Sequence, residues 1–393
     1  RGKDMQRKLR GKQTIALSLI ALLAAGAAFW FAGCGMGNGG GSATSAVQGA
    51  MTAQQELEEV SRAIATEGVG WTPAMTPVAQ LSDAEQDALN GAVDEAPEAA
   101  KALARTAPRR AAQALPDAVD WSNKSGVNWI TGVKDQGACG SCVAFAGLGA
   151  VEALTRIAAQ ASSLDVDLSE ADLFGCAGRA CSGGWSAIRA AERLQSQGVS
   201  TEVCLPYSVQ QGALANACSA KCAAPQITKI TSWSAIYNPD DTAEAAQQIK
   251  QALQNGPVVG SMIVYTDFFY YSSGIYEHVF GEERGGHAVL IVGYNDAGGY
   301  WIIKNSWGAE WGANGFARIK YGEADIEKRV TVVMAVDAPA SEDPQPQATV
   351  AATVDAASGT TADTFTLTCT VSGSYSSLQA RCSGSDPWSE IPS

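Results

Sequence analysis

Histidine is almost missing from this sequence: there are two among 393 residues. Any chemistry that needs an imidazole must therefore use His278 or His287. The scarcity also argues against a zinc site, because Cys218-x-x-x-Cys222 has no histidine close in sequence. No metal or other cofactor is expected. Positive charge is scarce too, with 27 Lys and Arg against 40 Asp and Glu and a formal net charge of −13. A protein that tracks phosphates needs a basic face, so nucleic acid is excluded as a partner. What is present is ample apolar material, 46% of the residues, in a chain longer than one ordinary domain.

One long stretch is both uncharged and mostly apolar, residues 14–33. Met5 and the basic segment Gln6-Arg7-Lys8-Leu9-Arg10-Gly11-Lys12 precede it, and Phe31-Ala32-Gly33-Cys34 closes it with small residues. This resembles a bacterial lipoprotein signal over residues 1–34, with Cys34 as the lipid-modified residue, although Phe31 stands where Leu is commoner. The alternative is an uncleaved membrane helix, since about twenty apolar residues suffice to span. A Gly- and Ser-rich tether follows at residues 35–53. Either reading attaches the chain to a membrane and places it in the cell envelope, in the periplasm or at the surface.

The chain is organised around Gln136-Gly137-Ala138-Cys139-Gly140-Ser141-Cys142-Val143-Ala144-Phe145. A small-residue turn leads into an Ala-, Leu- and Val-rich run that predicts a helix over 142–159. Cys142 would sit at its N-terminus, where unpaired N–H groups and the helix dipole favour a thiolate nucleophile. Alone, such a Cys-x-x-Cys is as readily a small buried residue beside a disulfide. Two further segments shift the balance. His287 lies in Gly285-Gly286-His287-Ala288-Val289-Leu290-Ile291, a short apolar strand pattern 145 residues after Cys142, and Asn305 ends the pattern Tyr300-Trp301-Ile302-Ile303-Lys304 eighteen residues later.

In these segments the chain resembles the papain family of cysteine peptidases. The resemblance runs over residues 115–336. It includes Leu115-Pro116-Asp117-Ala118-Val119-Asp120-Trp121, Cys181-Ser182-Gly183-Gly184-Trp185 and Asn305-Ser306-Trp307-Gly308. It implies that Cys142 attacks as thiolate, that His287 serves as acid and base, that Asn305 holds the imidazole and that Trp307 shields that bond. It implies that Gln136 and the Cys142 N–H stabilise the oxyanion. Gly183 and Gly184 would let substrate backbone approach, and Ser261 and Gly286 would line the pocket for the second residue before the scissile bond. The floor of that pocket, within residues 323–330, is not aligned by the motifs. Val143 departs from the family, which usually has Trp there to wall the primed side. His278 reads as structural, so the histidine chemistry with which cathepsin B removes dipeptides is missing and endopeptidase action is expected.

The resemblance further implies an α+β fold of two halves, a helical one and a β-barrel-like one, with the cleft between. Helices are expected over 142–159, 169–176, 186–197 and 242–255, and strands over 258–264, 288–293, 301–304, 316–320 and 330–336. Residues 54–114 stand where such enzymes carry an inhibitory propeptide that enters the cleft backwards; a plain spacer is the alternative. Helical runs are expected there at 55–65 and 82–90, and Arg105-Thr106-Ala107-Pro108-Arg109-Arg110 suits cleavage. The catalytic domain would span 115–337, a linker 338–347 and a β-rich, sandwich-like accessory module 348–393. Family resemblance pairs Cys139 with Cys181. Cys176, Cys204, Cys218 and Cys222 would form two more bridges of open connectivity, Cys176 with Cys218 being preferred, and Cys369 and Cys382 would close a loop in the tail. Such bridges suit an oxidising compartment. The expected function is a secreted or lipid-anchored cysteine endopeptidase made as a zymogen, acting on proteins or peptides. The alternatives are a catalytically impaired homologue serving in surface binding or adhesion, and transpeptidation through the same thioester.

Overall fold

The structure, a computed structural model, describes residues 51–105, 114–208, 214 and 217–337, with four short strands farther on. Cys34, the signal-like stretch, residues 106–110 of the cleavage loop and the linker, 338–347, lie outside the described residues. Among the described residues, no helix is long and apolar enough to cross a membrane.

The helical half is built on α4 (Cys142–Ala158), with α5 (Glu170–Phe174) and α6 (Ala187–Ser196) packed against it. Helix α4 is buried from Cys142 to Leu154. Its small residues allow this: a Cβ on Gly149 would lie 3.3 Å from Leu290 on the neighbouring sheet. Ser169 and Ser186 start α5 and α6 by accepting the backbone N–H of Asp172 and Arg189.

The other half is a sheet. Its strands are β1 (Trp71–Pro73), β2 (Ala118–Asp120), β3 (Ser232–Ile236), β4 (Val258–Tyr265), β5 (Tyr271–Tyr276), β6 (Glu283–Asn295), β7 (Tyr300–Lys304), β8 (Phe316–Lys320) and β9 (Thr331–Ala335). They run in the order β1-β5-β8-β7-β6-β4-β9-β3, with β2 beside β6. All pairs are antiparallel except β5 with β8. The expected barrel is not closed. Strands β1 and β3 do not pair with each other, and other elements, α3 (Pro97–Arg105) and α7 (Thr242–Ala252), pack against β3.

Three disulfides staple the helical half: Cys139–Cys181, Cys176–Cys218 and Cys204–Cys222. They place the folded domain in an oxidising environment, outside the cytoplasm. The side chains of Cys369 and Cys382 lie outside the described residues. In the tail, β10 (Ala351–Val354) pairs antiparallel with β11 (Leu367–Thr370), and β12 (Leu378–Ala380) with β13 (Ser389–Ile391). Neither pair joins the large sheet.

Residues 52–88 are folded onto the sheet half. Helix α1 (Ala53–Glu67) has a reciprocal Thr52–Gln55 capping box and ends at left-handed Gly68. Strand β1 extends the sheet edge, with Trp71 opposite Gly274. A side chain at Gly274 would strike the Gly70 carbonyl at 2.4 Å, so only glycine permits this approach. Trp71 donates its indole N–H to the Glu277 carbonyl at 2.9 Å, and Tyr270 donates to Glu56 at 2.7 Å. Helix α2 (Asp83–Ala88), begun by a second capping box from Ser82 and Glu85, is anchored through Arg284, which donates to Asp87 and Gln86.

Candidate active site

Cys142 is the one free cysteine among the described residues and opens α4. Ser141, the residue before it, does not cap the helix; its hydroxyl is bonded to that of Tyr207 at 2.7 Å. Strand β6 meets the nucleophile directly: the Ala288 N–H donates to Cys142 Sγ at 3.4 Å. His287 is the preceding residue, fully buried, with Nε2 2.8 Å from Asn305 Oδ1. Asn305 follows β7, and its Oδ1 also accepts the Ser306 N–H at 2.8 Å. Trp307 covers the imidazole at 4.8 Å between ring centroids and is itself buried.

Gln136 is held from every side. Its Oε1 accepts the Ser306 hydroxyl at 2.6 Å, and its carbonyl accepts the Tyr207 hydroxyl at 2.9 Å. Its Nε2 donates to the Cys139 carbonyl at 2.7 Å, which leaves the second N–H aimed into the cleft. Tyr207 and Ser306 are thus positioning residues. Ser306 belongs to the Asn305-Ser306-Trp307-Gly308 motif, whereas Tyr207 has no sequence signal beyond its aromaticity.

The cleft is filled by the chain itself. The second Gln136 N–H donates to the Leu89 carbonyl at 2.9 Å. Trp185 N–H donates to the Gly91 carbonyl at 2.7 Å, Val93 N–H to the Trp185 carbonyl and Ala92 N–H to the Gly286 carbonyl, both at 2.9 Å. Ala92 and Trp185 pair in parallel. The approach is so close that a Cβ on Gly91 would fall 2.1 Å from the Gly140 carbonyl, one on Gly184 2.3 Å from that of Gly91, and one on Gly286 2.3 Å from that of Ala92. Gly183 is exposed, and a Cβ there meets only the Ala180 carbonyl at 3.6 Å. Ser261 lies on β4 opposite Ala288, with its N–H on the Val330 carbonyl at 3.2 Å. Val143 is buried in α4.

This covering decides the electrostatics. Burial pushes the Cys142 thiol up to about 11, against the backbone N–H groups of Ala288, Gly91, Val143 and Cys142 itself. Burial likewise pushes His287 down to about 4, although Asn305 and the Leu89 carbonyl favour its protonated form. The helix terminus alone favours a thiolate, but desolvation outweighs it here. In this closed state both groups are neutral at pH 7. His278 is elsewhere: it stacks on Tyr265 at 3.9 Å and approaches Asp267, which also accepts the Val279 and Phe280 N–H groups. That ring braces a loop.

A buried cysteine beside a histidine held by an asparagine, with a glutamine amide directed at the same point, is the apparatus of acyl transfer to sulfur. The model of the papain family cysteine protease matches residues 115–334. The chain belongs to this family. It is similar to procathepsin B S9 from Trypanosoma congolense, at 24% identity and a TM-score of 0.58, covering 71% of this chain and 97% of that one. It is also similar to digestive procathepsin L 3 of the Tenebrio molitor larval midgut, at 25% identity and a TM-score of 0.57, covering 72% and 89%. Both are proenzymes, and the present chain is a papain-like cysteine peptidase folded as a zymogen.

Proposed function

We propose that the chain is a cysteine endopeptidase whose residues 54–114 form an inhibitory propeptide and whose residues 115–337 form the catalytic domain. The observation that carries this reading is the path of residues 89–93 across Cys142, with the Leu89 carbonyl on the Gln136 amide. A carbonyl in that position occupies the site that an oxyanion would take. The parallel pairing of Ala92 with Trp185 supports a strand bound in the reverse of a substrate's direction.

With the cleft free, water and substrate reach Cys142 and His287, the desolvation is relieved, and a thiolate–imidazolium pair can form. Cys142 Sγ then attacks the scissile carbonyl, and Gln136 Nε2 and the Cys142 N–H take the charge that develops on oxygen. His287 donates its proton to the leaving amine as the thioester forms. It next removes a proton from water, which attacks the thioester, and the acid product leaves as the thiol is restored. Asn305 keeps the ring oriented throughout, under Trp307. Gly184 and Gly286 supply the close main-chain approaches, and Ser261 and Gly286 wall the pocket for the second residue before the scissile bond. Gly183, being exposed, contributes at the rim.

In this reading Cys34 carries a lipid and a cut within residues 105–110 frees the enzyme from the membrane. Detergent partitioning before and after processing tests that part: a processed catalytic domain that stays in the detergent phase sinks it. For the activity itself, peptides blocked at both ends are incubated with processed protein. Internal cleavage that is abolished by His287→Ala is expected, and cleavage only of peptides with free ends would overturn endopeptidase action.

A further inference from the structure

Arg329 has no role in the chemistry described, yet it stands at the cleft wall. Its Nη2 lies 2.8 Å from Asp94 Oδ2, and the same nitrogen is 2.9 Å from the point where a Cβ on Gly286 would be. Gly286 precedes His287 and accepts the Ala92 N–H. The guanidinium therefore flanks the strand that binds the occupying chain, two residues along from the Ala92 anchor. Its backbone is fixed: Arg329 N–H donates to the Asp325 carbonyl at 3.1 Å, and the next residue's carbonyl accepts the Ser261 N–H. Asp94 is the only ion-pair partner of Arg329 among the described residues. The neighbouring charges are committed elsewhere, Lys328 to Asp325, and Glu327 to the Trp301 indole and the Gly322 N–H. Arg329 Nε is buried without a partner, so the fork has a donor that Asp94 leaves unused.

We infer that Arg329 makes the non-primed side of this cleft selective for an acidic side chain at the second residue before the scissile bond, and that Asp94 of the occupying segment stands in for it. The inference rests on the proposed peptidase reading and names its substrate class. When the segment leaves, the guanidinium loses its counter-charge and faces the pocket walled by Gly286 and Ser261. A carboxylate restores the pair and has Nε available as a second donor, the geometry in which Arg binds carboxylates best. An Arg or Lys side chain there meets like charge, and an aliphatic one leaves a partly desolvated guanidinium unpaired.

The test uses the processed protein and blocked fluorogenic peptides that differ only at that residue: Glu, Asp, Leu and Arg. We expect kcat/KM for Glu or Asp to exceed that for Leu by about tenfold or more, as a charge-assisted hydrogen bond implies. Arg329→Gln should bring the Glu-to-Leu ratio near one, Arg329→Lys should retain part of it, and Arg329→Glu should favour the Arg peptide. A processed enzyme that takes an active-site epoxide but prefers Leu, with a ratio unmoved in Arg329→Gln, overturns the inference and leaves the peptidase reading intact. Failure to cleave any peptide or to take the epoxide overturns both.

Discussion

Substituting Gly91 by alanine should open the zymogen without touching its catalytic groups. The added Cβ would lie 2.1 Å from the Gly140 carbonyl oxygen and 2.4 Å from its carbonyl carbon and Cα. These are backbone atoms, next to a disulfide-bonded cysteine, so neither side yields easily. Relief requires the segment to lift by about an ångström, which stretches the bonds from Leu89 to Gln136, Gly91 and Val93 to Trp185, and Ala92 to Gly286. At about 1 kcal/mol net for each bond, losing two to four of them costs roughly 2–4 kcal/mol, or about 30- to 1000-fold in the open fraction. The assay is the second-order rate at which an epoxide labels Cys142 in the unprocessed precursor, followed by intact mass. Gly70→Ala is the control within the same segment, because a Cβ there meets nothing within 4 Å. Equal labelling rates in wild type, Gly91→Ala and Gly70→Ala would refute the claim that this close approach holds the cleft shut.

Three further outcomes follow from the same geometry. Because burial lowers His287 from 6.5 to about 4, the closed state takes up its proton later than an open state in which Cys142 is still a thiol and the imidazole is an ordinary one. Its stability is whole above pH 6.5 and falls as pH drops towards 4, by at most about 3 kcal/mol at about 1.4 kcal/mol per pH unit. Precursor labelling or processing should accelerate over that window, and a flat profile from pH 6.5 to 4 would count against it. Gln136→Ala should lower kcat/KM of the processed enzyme by about 100-fold or more through loss of an oxyanion donor, checked by steady-state kinetics; an effect under about threefold would remove Gln136 from that role. Lys304 is buried, and burial lowers its ammonium to about 8. The cost is present below pH 8 and vanishes as pH rises to 10.5, so Lys304→Met should raise stability at pH 7 by up to about 3 kcal/mol, less the bond to Thr131, with the gain shrinking above pH 8. Thermal melts at pH 7 and 10 decide it, and a destabilised variant at pH 7 would contradict the reasoning.

Cys142, His287 and Asn305 could be read from the sequence because each stands in a distinctive local setting. Cys142 follows a turn of small residues, and His287 and Asn305 sit in apolar strand patterns that leave few other uses for a polar side chain. The long helices and strands were equally legible, since α4, α7, β4 and β8 follow apolar periodicity. Strand β1 and strand β5 were not, because three residues at Trp71 and the run Tyr271-Ser272-Ser273-Gly274 become strands only through pairing with each other. Helix α3 lay hidden in Ala- and Glu-rich sequence that reads equally as spacer. The protonation of the site was also invisible: a helix N-terminus favours the thiolate, but the covering residues 89–93 reverse the balance, and their contacts are mostly main-chain. The same holds for Arg329, whose position against Gly286 depends on the turn at left-handed Ala324 and Asp325. Of the two adjacent glycines, only Gly184 requires the missing side chain, a distinction that spacing does not carry.

The most direct test of the account is active-site titration of the purified, processed protein with an irreversible epoxide, read by intact mass beside Cys142→Ala. A single adduct is expected in the wild type, lost in the variant, with the unprocessed precursor labelled far more slowly than the processed form. A folded, processed protein that takes no adduct would contradict the assignment of Cys142 as an activated nucleophile and favour a role in surface binding.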